Sequence, residues 1–142
     1  MTQYSNRFIL CGLVLVCLIS CVNEKPQFSS KQLQSQDSLF KEIMVIHDEV
    51  MPLTSTLVQR RDILEKSDKT DSISESLIKE LETAEEAMWD WMYAIKRPEQ
   101  IRDTFTHEQI IDYLDQEFKT ISKVKNLMLN AAENSNQISD NE

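Results

Sequence analysis

The chain has 142 residues, 24 of them acidic against 15 basic, for a net charge of −9. A surface this acidic excludes phosphate-tracking nucleic-acid binding and is repelled by anionic lipid, so any membrane tether should be covalent. The only glycine is Gly12, which leaves the rest of the chain without the Gly-rich loops that cradle phosphates in mononucleotide or dinucleotide sites.

Residues 1–20 read as an export signal. Arg7 is their only charged side chain, and the apolar run Phe8 to Ile19 follows it directly. That run is shorter than the roughly 20 apolar residues of a membrane-spanning helix. A short apolar run behind a basic residue and closed by a small one fits a cleaved signal. The small residue is Ser20, and Cys21 comes next. Leu18-Ile19-Ser20-Cys21 resembles a bacterial lipobox, which implies cleavage between Ser20 and Cys21 and lipidation of Cys21. Cys11 and Cys17 would leave with the signal, and the net charge of −9 would become −10 with the loss of Arg7. The remaining chain would hold no free thiol, so a cysteine nucleophile, a disulfide and a thiolate metal site are all excluded. Val22 stands where an aspartate would redirect sorting. By resemblance to the sorting rules of enteric bacteria, this favours the outer membrane, on its periplasmic face or at the cell surface.

Residues 21–37 comprise the lipidated Cys21 and a polar Ser/Gln-rich stretch with a linker composition, expected to reach about 20–25 Å from the membrane if flexible. A helical domain is expected over 38–134. Its first helix should be capped by Asp37 or Ser38 and run to about Lys66. Leu39, Ile43, Ile46, Val50, Leu53, Leu57 and Leu64 form its apolar stripe, interrupted by Arg60. Pro52 lacks an N–H and clashes with the Asp48 carbonyl, which predicts a kink.

A second helix should open at Ser72-Ile73-Ser74-Glu75, read as a capping box. Its stripe is Ile73, Leu77, Leu81, Ala84, Met88, Trp91 and Ile95, with Met92 alongside. Pro98 should end it near Lys96. After a connection over 97–105, with room for a turn of helix, Thr106-His107-Glu108-Gln109 reads as another capping box. Ile111, Leu114, Phe118, Ile121, Met128 and Ala132 mark the expected buried face of the third helix, flanked by Ile110, Tyr113 and Val124. Residues 135–142 read as a disordered tail. With no strand alternation or internal repeat, the fold expected is all-α: an antiparallel up-down-up three-helix bundle, its first helix kinked at Pro52. A two-helix coiled coil assembling between chains is the alternative.

Ile46-His47-Asp48-Glu49-Val50-Met51-Pro52 resembles a block found in small helical envelope lipoproteins of Bacteroidota, some of them labelled viral A-type inclusion protein-like. The family pattern continues in Met88-Trp89-Asp90-Trp91-Met92 and in a closing helix from Tyr113-Leu114 to Met128. The resemblance covers nearly all of the chain after Cys21. It implies a lipid anchor and a helical domain, and it brings no established activity with it.

Three candidate sites stand out. His47-Asp48-Glu49 is a poor catalytic constellation, because adjacent helical residues point in different directions and cannot converge on one substrate. No nucleophile elbow, oxyanion hole or His-Glu-x-x-His motif accompanies it, so the chain is expected not to be an enzyme. Met44, His47 and Met51 share one side of the first helix, at the level where the second carries Met88, Trp91 and Met92. His47, Met51, Met88 and Met92 are therefore a candidate soft-metal set for Cu(I), similar in residue types to periplasmic copper chaperones; a His/Met pair could also ligate haem. The competing reading is that these methionines fill gaps in the core. Arg61 and Lys125 are expected at one height, opposite Glu80. Trp89 and Tyr93, four apart and off the buried stripe, are candidate contacts for a protein partner. The functional expectation is a non-enzymatic envelope lipoprotein that binds another envelope protein, with no nucleotide and no resident cofactor; a Cu(I)- or haem-binding periplasmic protein is the alternative.

Overall fold

A computed structural model describes residues 26–67 and 71–139. The expected signal segment and lipobox, with Ser20 and Cys21, lie outside the described residues. Every element within them is helical: α1 (Ser30–Val50), α2 (Leu53–Lys66), α3 (Ser72–Ala94), α4 (Pro98–Ile101) and α5 (His107–Ser139). No strand occurs among the described residues, and no helix there is long and apolar enough to cross a membrane.

The first helix starts at Ser30, well before the Asp37 or Ser38 expected from sequence. Ser29 caps it in a reciprocal box with Gln32: the Gln32 N–H donates to Ser29 Oγ at 3.3 Å, and the Ser29 N–H donates to Gln32 Oε1 at 2.9 Å. Phe28 and Leu33 stand at the staple positions on either side of that cap, and both are half-buried. The stretch 30–37 is thus part of the folded domain rather than tether. At the other end, α5 continues past residue 134 to Ser139, where a tail was expected.

Between α1 and α2, Met51 and Pro52 keep right-handed helical dihedrals, at φ −54°, ψ −37° and φ −61°, ψ −23°. The helix is nonetheless divided there, because Pro52 has no N–H to offer the Asp48 carbonyl. Asp71, rather than Ser72, caps α3 by accepting from the Ser74 N–H at 2.8 Å. Thr106 and Gln109 form the expected reciprocal cap on α5, with bonds of 2.9 and 3.3 Å. The backbone N–H groups at this helix start, and then the Thr106 hydroxyl, hold the exposed Glu108 carboxyl below its ordinary pKa.

Helix α5 packs against α1, α2 and α3. Its polar contacts with α1 and α2 advance together, from Gln36–His107 through Glu49–Lys125 to Arg60–Ser135. Those with α3 and the residues just after it run the other way, from Lys96–Tyr113 through Trp91–Glu117 to Glu80–Asn134. The core joins Ile43, Val50 and Leu57 to Leu81, Ala84, Met88 and Trp91, and both sets to Ile110, Leu114, Ile121, Val124, Met128 and Ala131. Burying each large member stabilises the fold by roughly 1.5–3 kcal/mol over leaving it exposed.

Three expected core positions are not core: Ile111 is only half-buried and stands outside the core cluster, and two more are exposed. Phe118 is 36 % exposed and Ile73 is 62 % exposed. On α5 the buried residues recur as Ile110, Leu114, Ile121, Val124, Met128, Ala131 and Ser135, a stripe with one step of four, one of seven, and then alternating steps of three and four. That phase leaves Phe118 one position beyond Glu117. Ile73 sits in the first turn of α3, outside the core cluster.

The charged groups near the core find partners other than those expected. Arg61 pairs with Glu85 at 2.7 Å, and Lys125 Nζ donates to both Glu49 oxygens at 2.6 and 2.7 Å. Glu80 accepts instead from Asn134. Arg60, the interruption in the α2 stripe, donates to the Ala132 carbonyl and, at 2.9 Å, to the buried Ser135 hydroxyl. Its charge thereby covers two oxygens of α5 while its stem packs along the helix.

Candidate functional site

The helical spacing of three puts Met44 and His47 on one face of α1. Late in α3, Trp91 and Met92 face them. These four residues, with Phe40, Ile95, Arg97 and Gln100, line a cleft of about 400 Å³. The backbone leaves the helix at Ile95, whose ψ of 132° is extended, and Pro98 starts α4. That exit brings Ile95, Arg97 and Gln100 to the cleft. The Arg97 N–H donates to Gln100 Oε1 at 2.7 Å, and the Lys96 N–H donates to the Tyr113 hydroxyl, also at 2.7 Å. Burial raises the Tyr113 pKa, the Lys96 N–H opposes that rise, and the nearby Glu117 carboxylate adds to it.

His47 joins Arg97 and Gln100 as a polar side chain lining the cleft. Its side chain is only 12 % exposed, and its ring lies 5.7 Å from that of Trp91, at 33°. Nδ1 stands 2.9 Å from Asp48 Oδ1. Adjacent residues on the helix do meet here, because the exposed Asp48 side chain folds back onto the imidazole rim. Glu49 turns away to Lys125, so the three residues still do not converge. A carboxylate only accepts, so in the neutral form of the ring this contact sets the proton on Nδ1 and the lone pair on Nε2. Nε2 is buried, and it is the one buried side-chain nitrogen or oxygen among the described residues without a hydrogen-bond partner. Leaving such a group unsatisfied costs roughly 1–3 kcal/mol. Trp91, in contrast, is fully satisfied: its indole N–H donates to Glu117 Oε2 at 2.9 Å, which holds the ring in place.

Of the four residues expected to bind metal, the structure puts two in this cleft, His47 and Met92, and adds Met44. Met51 and Met88 are not among the lining residues. Met51 is half-buried, with its sulfur 3.8 Å from the Thr54 hydroxyl, and Met88 is fully buried in the core. Among the described residues no group of three His, Cys, Asp or Glu side chains is placed to hold a metal; the cleft offers thioethers beside one imidazole.

Trp89 and Tyr93 lie on the outer side of α3, 36 % and 85 % exposed, with ring centroids 6.5 Å apart. A second polar cluster was not legible in the sequence. Gln36, fully buried, donates from Nε2 to His107 Nδ1 at 3.1 Å and accepts from Arg102 Nε at 2.8 Å. Arg102 also pairs with Asp37, and Glu99 stands 3.8 Å from it. The Ser29-x-x-Gln32 cap could have revealed that the helix extends back over Gln36. Nothing in the sequence pairs Gln36 with Arg102.

Comparison of the chain with protein-family models, curated proteins and solved structures returns no match.

Proposed function

We propose that the chain is a non-enzymatic envelope lipoprotein. In this reading Cys21 carries the lipid, the outer membrane is the location, and the helical domain binds another envelope protein. The domain is an up-down-up three-helix bundle in which α1 and α2 are one helix bent at Pro52. The resemblance of residues 46–52 and 88–92 to Bacteroidota envelope lipoproteins supports the same assignment.

The observation that carries the binding role is the Trp89–Tyr93 pair. Two large aromatic rings stand side by side on a helix face that the core does not use. Aromatic side chains are enriched in the centres of protein interfaces, where they bury much area at little conformational cost. The net charge of −9 favours a partner with a basic face.

The test is site-specific photo-crosslinking in intact cells. A crosslinker at Tyr93 should yield a discrete adduct that one at the exposed Lys119 does not, and Trp89→Ala should abolish it. Cys21→Ser should release the chain from membranes or leave an unprocessed precursor. A Cys21→Ser chain that fractionates like the parent, or a Tyr93 crosslinker that captures nothing, rejects this reading.

A further inference from the structure

We infer that Met44, His47 and Met92 form a Cu(I) site, with the Trp91 ring as its wall. The inference stands apart from the partner-binding role, since it draws on a different face and none of the same residues.

The imidazole carries the argument. Asp48 engages Nδ1 at 2.9 Å, so the metal-binding lone pair is on Nε2, and that atom is buried and unpartnered. A carboxylate on one ring nitrogen and a metal on the other is the usual arrangement of a ligating histidine, because it fixes the tautomer and strengthens the donor. Gap filling would account for two methionines at half-buried positions, but it leaves the bare nitrogen unexplained.

The other soft donors that line the cleft select the metal. Met44 comes from α1 and Met92 from α3, and both line the same cleft as His47. Two thioethers and an imidazole make a soft set that suits Cu(I) and offers little to Mg²⁺ or Ca²⁺, which take oxygen ligands. The Trp91 ring is buried, held by Glu117 through its N–H, and adjacent to His47. As a lining residue of the cleft it offers an aromatic ring to a monovalent cation, and its bulk restricts access by water. Asp48 supplies a nearby negative charge. Arg97, also on the cleft, is exposed, so water screens its opposing charge.

The test uses the full chain in detergent with Cys11→Ser, Cys17→Ser and Cys21→Ser, so that no thiol competes. Cu(I) is presented anaerobically from a chromophoric chelator of known affinity. One equivalent should transfer to each chain. In a Trp89→Phe background, the remaining emission, that of Trp91, should be quenched in step. Met44→Leu, Met92→Leu and His47→Gln should each weaken binding more than the roughly 10–100-fold expected for Asp48→Asn, which removes only the positioning contact. Met51→Leu and Met88→Leu should leave the affinity unchanged. Met→Leu conserves volume, so thermal melts should separate ligand loss from core damage. A parent chain that takes no Cu(I) from the chelator overturns the proposal. So do Met44→Leu and Met92→Leu chains that bind like the parent.

Discussion

The region around His107 and the region around His47 each set one imidazole against buried surface, and they treat it in opposite ways. At His107, Gln36 donates to the ring and receives Arg102, while Arg102 also reaches Asp37 and Glu99. The contacts of Gln36 and Asp37 link α1 to the α4 connection and to the start of α5, while Glu99 meets Arg102 within one helical turn. At His47, one ring nitrogen meets Asp48 on the same helix and the other is left bare beside a cleft. The first region has the pattern of a structural lock, in which buried polarity is matched and joins elements distant in sequence. The second keeps an unmatched group at a place where a ligand could enter. The difference teaches that burial of a polar side chain is no guide to its role until its partners have been counted.

Substitutions can break or sharpen that contrast. The largest expected loss sets the scale: Met88→Ala, at a fully buried core position, should cost roughly 2–5 kcal/mol in chemical denaturation of the thiol-free chain. A smaller cost for Met88 than for Met92 would mean that the core and cleft assignments are reversed.

Gln36→Ala strands both Arg102 Nε and His107 Nδ1. It should cost roughly 1–3 kcal/mol, and a loss near zero would dissolve the lock. His47→Leu makes the opposite case. It removes an orphaned acceptor and fills the space with carbon, so stability measured by the same denaturation should hold or rise while the proposed Cu(I) binding disappears. A large loss would show that His47 is structural after all. Phe118→Ala should fall well below the core range of about 2–5 kcal/mol, because the ring is on the outer side of α5.

The smallest effect concerns pH. The Tyr113 hydroxyl accepts from the Lys96 N–H, and burial raises its pKa. A raised pKa means the folded state holds the proton more tightly. Its contribution is therefore complete below the ordinary tyrosine value of about 10 and fades as pH rises through the folded value. Melting temperature should drop above that pH, and Tyr113→Phe should flatten the drop. An unchanged pH profile in Tyr113→Phe would place the cause elsewhere.

Much of the helical domain could be read from periodicity alone. The stripe through Ile43, Val50 and Leu57 and the one through Leu77, Leu81, Ala84, Met88 and Trp91 both face the core. Each follows from the helical repeat, because one wide apolar face can be buried in only one way. Helix α5 was less legible, since it packs between α1–α2 on one side and α3 on the other. Its buried arc is set by two neighbours, so Phe118 lost its place to Val124 and Ile110. Polar partners were the least legible. Lys125 with Glu49 and Arg61 with Glu85 depend on axial offsets between helices, which no single-helix pattern encodes.

The sequence by itself determined that the fold is all-α, where α5 would be capped, and that Trp89 and Tyr93 would stand off the buried stripe. These are local properties, set by backbone hydrogen bonding and a repeat of 3.6 residues. Only the tertiary structure decided that Gln36 is buried rather than tethering, that Met44 joins His47 and Met92 while Met51 and Met88 do not, and that Nε2 of His47 has no partner. Those facts depend on the rotation and height of one helix against another. They are set by the packing of the whole core, of which each stripe contains only its own share.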